Sequence, residues 1–223
     1  MNNTVLVACE TLKKELEASI EETEVDYEII WVESGLHNTP EFLKSRLQEE
    51  LDKLDNENNN VERVLLAFGF CGNSVLGLKS RNFELILPGV EDCITLLLGS
   101  DDKRKEVSDS GGTYFLTRGW LDNEKNIWYE YSQTVEKYGE EKADRIYEMM
   151  LKNYSRLGIV DTGIDDIEDF SKTTKQIAKA LKLEHFILPG TLEYFKKLLT
   201  GPYDSDFVVL EPNSEIKFQD ILQ

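Results

Sequence analysis

Three features of the sequence predict an α/β fold. Short apolar segments of strand length alternate with helical patterns along most of the 223 residues. That order builds mainly parallel sheets with flanking helices and right-handed crossovers. The segment 64–68 (VLLAF) is apolar throughout, as a strand covered on both faces must be. Finally, Ile86-Leu87-Pro88-Gly89 followed by Leu97-Leu98 recurs 101 residues later as Ile187-Leu188-Pro189-Gly190 followed by Leu198-Leu199. Each copy puts Pro-Gly at a strand exit, where a tight turn launches the next helix. The repetition predicts two Rossmann-like lobes around a cleft, residues 1–110 forming the amino-terminal lobe and 111–223 the carboxyl-terminal one. A single continuous domain is the other division that the length allows.

The elements follow in order. Residues 5–9 form a short valine-rich strand, and Lys13, Lys14, Glu17 and Glu21 set the outer face of the helix after it. Residues 27–32 (YEIIWV) form a second strand. Pro40 then opens a helix after the Asn38-Thr39 cap, with Phe42, Leu43, Leu47, Leu51 and Leu54 as its apolar face. The strands 64–68 and 83–87 come next, the latter ended by Pro88-Gly89, and a helix spans 90–98 with Ile94, Leu97 and Leu98 inward. Gly111-Gly112 closes a charged loop. The strand 113–116 leads to a long helical region over 121–154, with Gly139 as its breaking point. Strands at 157–160, 186–188 and 207–210 and helices at 169–181 and 192–199 complete the chain.

Charge excludes whole classes of partner. The chain has 43 acidic against 25 basic side chains, a net of −18, with no basic stripe. Such a protein repels phosphate backbones and anionic membrane surfaces, so neither nucleic acid nor membrane is expected as a partner. Residues 1–60 alone carry 15 acidic and 5 basic side chains, placed as outer helix faces and a solvated loop that keep the protein soluble. No segment approaches the roughly 18 consecutive apolar residues of a membrane helix. The amino terminus, with five apolar residues before alternating charge, resembles neither a signal nor a transit peptide. Three cysteines without a leader predict reduced thiols in the cytoplasm.

Those cysteines carry the chemistry. Cys9 ends the first strand, Cys71 follows the third in AFGFCGNSVLG, and Cys93 lies in the first turn of the helix after ILPG. In a parallel α/β sheet all three positions belong to the carboxyl edge, where ligands bind. Thiols near helix amino termini are expected to have lowered pKa values, suited to metal ligation or nucleophilic attack. Separations of 62 and 22 residues exclude a local CxxC ribbon, so a shared site must be assembled by the fold. Three thiolates suit zinc with a fourth ligand, or an iron–sulfur cluster. His37, in WVESGLHNTP on the same edge, is the candidate fourth ligand, with Glu33 placed to orient its ring. His185 begins a strand at the opposite edge and is expected to be structural.

Around Cys71, Gly69, Gly72 and Gly77 allow close backbone approach, and the loop lacks both the GK[ST] of a Walker loop and a GxGxxG fingerprint. Gly69, Gly72, Asn73 and Ser74 are candidate ligand-cradling positions, shaped for a metal, a cluster or a small anion. Arg118, in GTYFLTRGW, is a fixed cation able to hold an anionic ligand at a strand exit. Asp161-Thr162-Gly163 resembles an aspartic-protease triplet only superficially, because those enzymes are all-β with two such motifs; Asp161 is expected to be a polar ligand or a helix cap.

Seven stretches are distinctive in order and wording: ACETL, WVESGLHNTP, AFGFCGNSVLG, EDCITLLLGS, GTYFLTRGW, EKYGEEKA and the DTG after LGIV. In these the chain resembles the uncharacterised domain-of-unknown-function family 1638 over nearly its whole length. The family's motif positions coincide with Cys9, His37, Cys71 and Cys93, which adds weight to a shared metal site. The resemblance also implies an origin in anaerobic bacteria or methanogenic archaea, beside corrinoid-dependent methyltransferase genes, and hence a link to methyl-group or corrinoid metabolism.

The leading expectation is a cytoplasmic zinc or iron–sulfur protein with Cys9, Cys71, Cys93 and His37 as ligands. A metal-free cysteine-dependent enzyme acting on a small anionic substrate is the alternative. All three cysteines precede residue 94, however, whereas two-lobed racemases place one in each lobe. The third expectation is a non-catalytic accessory partner of a corrinoid or methyltransferase protein. No DxHxxG-type lower-ligand signature is present, so the chain is not expected to carry the corrinoid itself.

Overall fold

The computed structural model describes residues 3–56, 60–122, 126–164 and 166–221. It has the α/β class and divides into two compact units, Met1–Leu96 with Leu192–Gln223, and Leu97–Thr191. The cut expected at 110/111 falls inside the second unit, and the carboxyl-terminal segment returns to the first.

The chain opens with β1 (Thr4–Cys9), α1 (Lys13–Thr23), β2 (Glu28–Val32), α2 (Pro40–Asn56), β3 (Arg63–Ala67), the two-residue β4 (Lys79–Ser80), β5 (Glu84–Pro88) and α3 (Cys93–Leu98). β1 pairs in parallel with both β2 and β3, and β3 with β5. Every residue of β1 is buried, as suits an inner strand flanked by β2 and β3. Leu43, Leu47, Leu51 and Leu54 bury the inner stripe of α2, each worth roughly 1.5–3 kcal/mol. Phe42 does not join them: it is 65% exposed, since one residue before Leu43 lies about 100° around the helix.

The helix expected over 90–98 starts only at Cys93. The carbonyls of Val90 and Glu91 accept hydrogen bonds from another loop, and the Asp92 carboxylate takes the Thr95 amide at 2.9 Å, which makes it the helix cap.

The second unit contains α4 (Asp101–Asp109), β6 (Thr113–Leu116), α5 (Arg118–Leu121), α6 (Ile127–Tyr138), α7 (Glu140–Met150), β7 (Arg156–Asp161), α8 (Ile167–Ala180) and β8 (Glu184–Pro189). Its sheet is parallel in the order β6-β7-β8. Leu116, Leu157, Ile159, Phe170 and Ile177 centre its core. Gly139, at φ +83°, breaks the long helical region as expected, and Tyr131 Oη on α6 donates to Asp144 on α7 at 2.8 Å. The stretch read as a charged loop before Gly111 is largely the helix α4. Ser100 caps it and Asp101 and Asp102 suit its amino terminus, but no residue of it is buried, so it leaves no apolar period.

The chain then forms α9 (Glu193–Thr200), β9 (Phe207–Leu210) and a short β10 (Ser214–Glu215) that pairs with β4. β9 lies antiparallel along β5, covering what would otherwise be an open edge and completing the order β2-β1-β3-β5-β9. This pairing is why a linear cut fails. Among the described residues no helix is long and apolar enough to cross a membrane.

Candidate thiol site

β1, β3 and β5 are consecutive parallel neighbours, so their carboxyl ends fall side by side. Cys9 is the last residue of β1, Cys71 leaves by the loop after β3, and Cys93 begins α3 after β5. Gly69 lets the last two loops meet. A Cβ there would stand 2.6 Å from the Asp92 backbone, a distance that no side chain tolerates. The contact is fastened by Phe70 N–H to the Val90 carbonyl and Cys71 N–H to the Glu91 carbonyl, each 2.8 Å. The two sulfurs, Cys71 Sγ and Cys93 Sγ, come to 4.0 Å.

Cys71, Gly72 and Asn73 are successive left-handed residues at φ 44°, 69° and 67°, closed by Ser74 N–H to the Phe70 carbonyl at 2.9 Å. A left-handed cysteine costs about 1–2 kcal/mol, so the surrounding bonds must hold it there. Ser74 is buried and its hydroxyl donates to the Phe70 carbonyl, so it braces the turn. At Gly72 a Cβ would lie 3.0 Å from Pro40 Cγ, which places the start of α2 against the thiol loop.

Cys9 and Cys93 do not have the lowered pKa values expected beside helix amino termini. Hydrogen bonding to Cys71 and then burial push Cys93 well above its ordinary value. Burial and then the Cys93 charge push Cys9 up to about 12, although its sulfur lies 3.0 Å from the Thr11 hydroxyl. Further upward pressure comes from Asp92 on Cys93 and from Glu10 on Cys9. At Cys93 the hydrogen bond to Cys71 and then burial outweigh whatever the six-residue α3 offers. At neutral pH these two groups are protonated thiols in a locally negative setting.

His37 occupies a single 3₁₀ turn, Leu36–Asn38, just before Pro40. Part of its side chain meets solvent, yet the protein around the ring excludes enough water to lower its pKa and favour the neutral imidazole. Glu33, expected to orient that ring, accepts from Arg46 Nε at 3.3 Å. Arg118 lies in the second unit, its guanidinium 4.6 Å from the centre of the Phe170 ring. Asp161 accepts the Gly163 amide at 3.0 Å, whereas the cap of α8 is Asp166. His185 shares a 2.9 Å hydrogen bond with Thr174.

Among the described residues, no set of three or more His, Cys, Asp or Glu is already spaced as a metal-ligand group. The fold thus brings Cys71 and Cys93 together and puts Cys9 within electrostatic reach, with its sulfur turned to Thr11. Sequence reasoning missed Asp92 and Thr11. Asp92 had a usable signal, a capping residue directly before a helical Cys with Thr95 three positions on.

Fold and site define an α/β protein with a cluster of free thiols, two buried and one partly exposed, at a parallel sheet edge. The chain belongs to the family described as protein of unknown function DUF1638, whose model matches residues 31–199. No curated protein and no solved structure matches it.

Proposed function

We propose that this chain is a metal-binding protein whose centre is built by Cys9, Cys71 and Cys93, with a single zinc ion as its preferred occupant and His37 as fourth ligand. The 4.0 Å separation of Cys71 Sγ and Cys93 Sγ carries this reading. Zinc–sulfur bonds of about 2.3 Å in a tetrahedron put two sulfurs roughly 3.8 Å apart. Thiolates bound to different irons of a cluster stand farther apart, so the pair fits one shared ion better than an iron–sulfur cluster. Cys9 joins by turning its sulfur away from Thr11. A neutral His37, three residues before the Pro40 that packs on Gly72, offers a nitrogen lone pair from the adjoining segment.

The electrostatics favour a cation over a free nucleophile. A metal-free cysteine enzyme needs a standing thiolate, whereas burial at Cys9, and the Cys71 hydrogen bond followed by burial at Cys93, keep these two groups mostly protonated. A bound ion supplies the missing positive charge, and at neutral pH each protonated thiol that binds releases a proton. With His37 off the ion and a position left open, zinc would supply Lewis-acid activation of a thiol or water. The family resemblance extends the proposal to methyl-group or corrinoid metabolism, with a corrinoid or methyltransferase protein as partner.

Metal analysis of anaerobically purified wild type and the three single Cys→Ser variants tests the centre. One zinc per chain in wild type, lost in each variant, is expected; freely titratable thiols with neither zinc nor iron would overturn it.

A further inference from the structure

We infer that Cys71 and Cys93 form a reversible dithiol–disulfide pair whose oxidation closes the thiol site against a metal ion. The pair rests on the geometry alone, while its consequence for a metal rests on the zinc reading above. The two sulfurs, already at 4.0 Å, have about 2 Å to close to reach a disulfide's roughly 2.05 Å, and the loops that carry them are already in contact. Those loops cannot drift apart, being tied by the Phe70 and Cys71 amides and brought together through Gly69.

Access sets the order of events. Cys71 is partly exposed on its turn, while Cys9 and Cys93 are buried. Cys71 thus meets an oxidant first and Cys93 stands behind it. Cys9 is left out because its sulfur faces Thr11. With a low-molecular-weight disulfide as oxidant, the Cys71 sulfur attacks one sulfur of the reagent. The reagent's S–S bond breaks and its first thiol leaves with the Cys71 proton. The Cys93 sulfur then attacks Cys71 Sγ, breaking the mixed disulfide and expelling the second thiol with the Cys93 proton. The protein loses two electrons and two protons, and the reagent gains both. A metal ion sharing the two sulfurs loses both ligands in that step.

Oxidised glutathione, added anaerobically to the full chain with and without prior chelator treatment, tests this by thiol titration, intact mass, peptide mapping and zinc release. The expected product keeps one of the three thiols, retains no glutathione and yields a Cys71–Cys93 linked peptide, with any bound zinc released in proportion. Three surviving thiols in both arms, glutathione held permanently on Cys71, or a disulfide containing Cys9 would overturn the inference. Cys93→Ser should trap glutathione on Cys71. Should that variant not fold, Cys71→Ser on the partly exposed loop should leave the native protein unreactive, and rapid loss of its thiols would count against the pair. A disulfide forming in a protein that never bound zinc overturns the zinc reading alone; retained zinc with three thiols overturns the redox inference alone.

Discussion

The two Ile-Leu-Pro-Gly segments share a turn and differ in the strand and loop beside it. Both end a strand, and in both the glycine amide donates to an aspartate carbonyl, Gly89 to Asp206 at 2.8 Å and Gly190 to Asp161 at 2.7 Å. The first copy exits β5, an inner strand, where Ile86 is fully buried; the second exits β8, an edge strand, where Ile187 is 43% exposed. The first is followed by Asp92 and Cys93 beside the loop of the neighbouring strand β3, whereas Glu193 and Tyr194 stand at the equivalent positions of the second. A local motif therefore specifies a strand exit, and the adjoining strand decides whether that exit borders a site.

The largest effect that tests this difference concerns high pH. In the metal-free protein Cys9 remains a thiol up to about pH 12, but in the unfolded chain it ionises near its ordinary value of 9.0. Its contribution to stability is thus fully present below about pH 9 and is lost as pH rises toward 12, on the order of 4 kcal/mol for this one group. Urea denaturation across that range should show the decline. Burial also pushes Tyr114 and Tyr131 of the second unit up to about 12, so the difference from Cys9→Ala isolates the thiol. Parallel profiles for the two proteins would mean that the Cys9 pocket is wetter than its burial implies.

Smaller effects come from paired glycines. Gly69→Ala forces a Cβ against the Asp92 backbone, and Gly190→Ala forces one to 2.8 Å from Val160 Cγ1 and 2.9 Å from the Leu97 carbonyl. Each should cost roughly 1–3 kcal/mol. Only Gly69→Ala moves one thiol loop from the other, so zinc titration should show binding about tenfold weaker or worse there and unchanged in Gly190→Ala. Equal losses in both would show that the loop contact at Gly69 has no special bearing on the site.

The smallest contrast is between helix caps. Asp92→Ala removes the partner of the Thr95 amide and hydroxyl, and Asp166→Ala removes that of the Glu168 and Asp169 amides. Either should cost about 1 kcal/mol by thermal unfolding. Losing the Asp92 charge should also lower the pH at which Cys93 ionises, read by thiolate absorbance, while Asp166→Ala leaves the thiol titration unchanged.

Much of the fold was legible because its signals are local. The valine-rich β1, the VLLAF strand, the Pro40 helix start and the Gly139 break each rest on a few adjacent residues, and each stands where those residues put it. The helix α4 was not legible, because none of its side chains is buried and only its cap marks it. Phe42 misled by residue type: its hydrophobicity matched the stripe of α2 while its angle did not. At the site, strand alternation was enough to put all three cysteines at one edge. The pairing of Glu33 with Arg46 and the upward shifts of Cys9 and Cys93 depend on atoms brought near by the fold, which spacing does not encode.

By itself the sequence determined the α/β class, the order of strands and helices and the shared edge of Cys9, Cys71 and Cys93, because periodicity and turn chemistry act within a few residues. Tertiary structure alone decided that residues after 191 return to the first unit, that Cys71 and Cys93 approach to 4.0 Å and that burial pushes the Cys9 thiol up. Strand pairing, close backbone approach and desolvation set these, and all three act between residues that the chain keeps far apart.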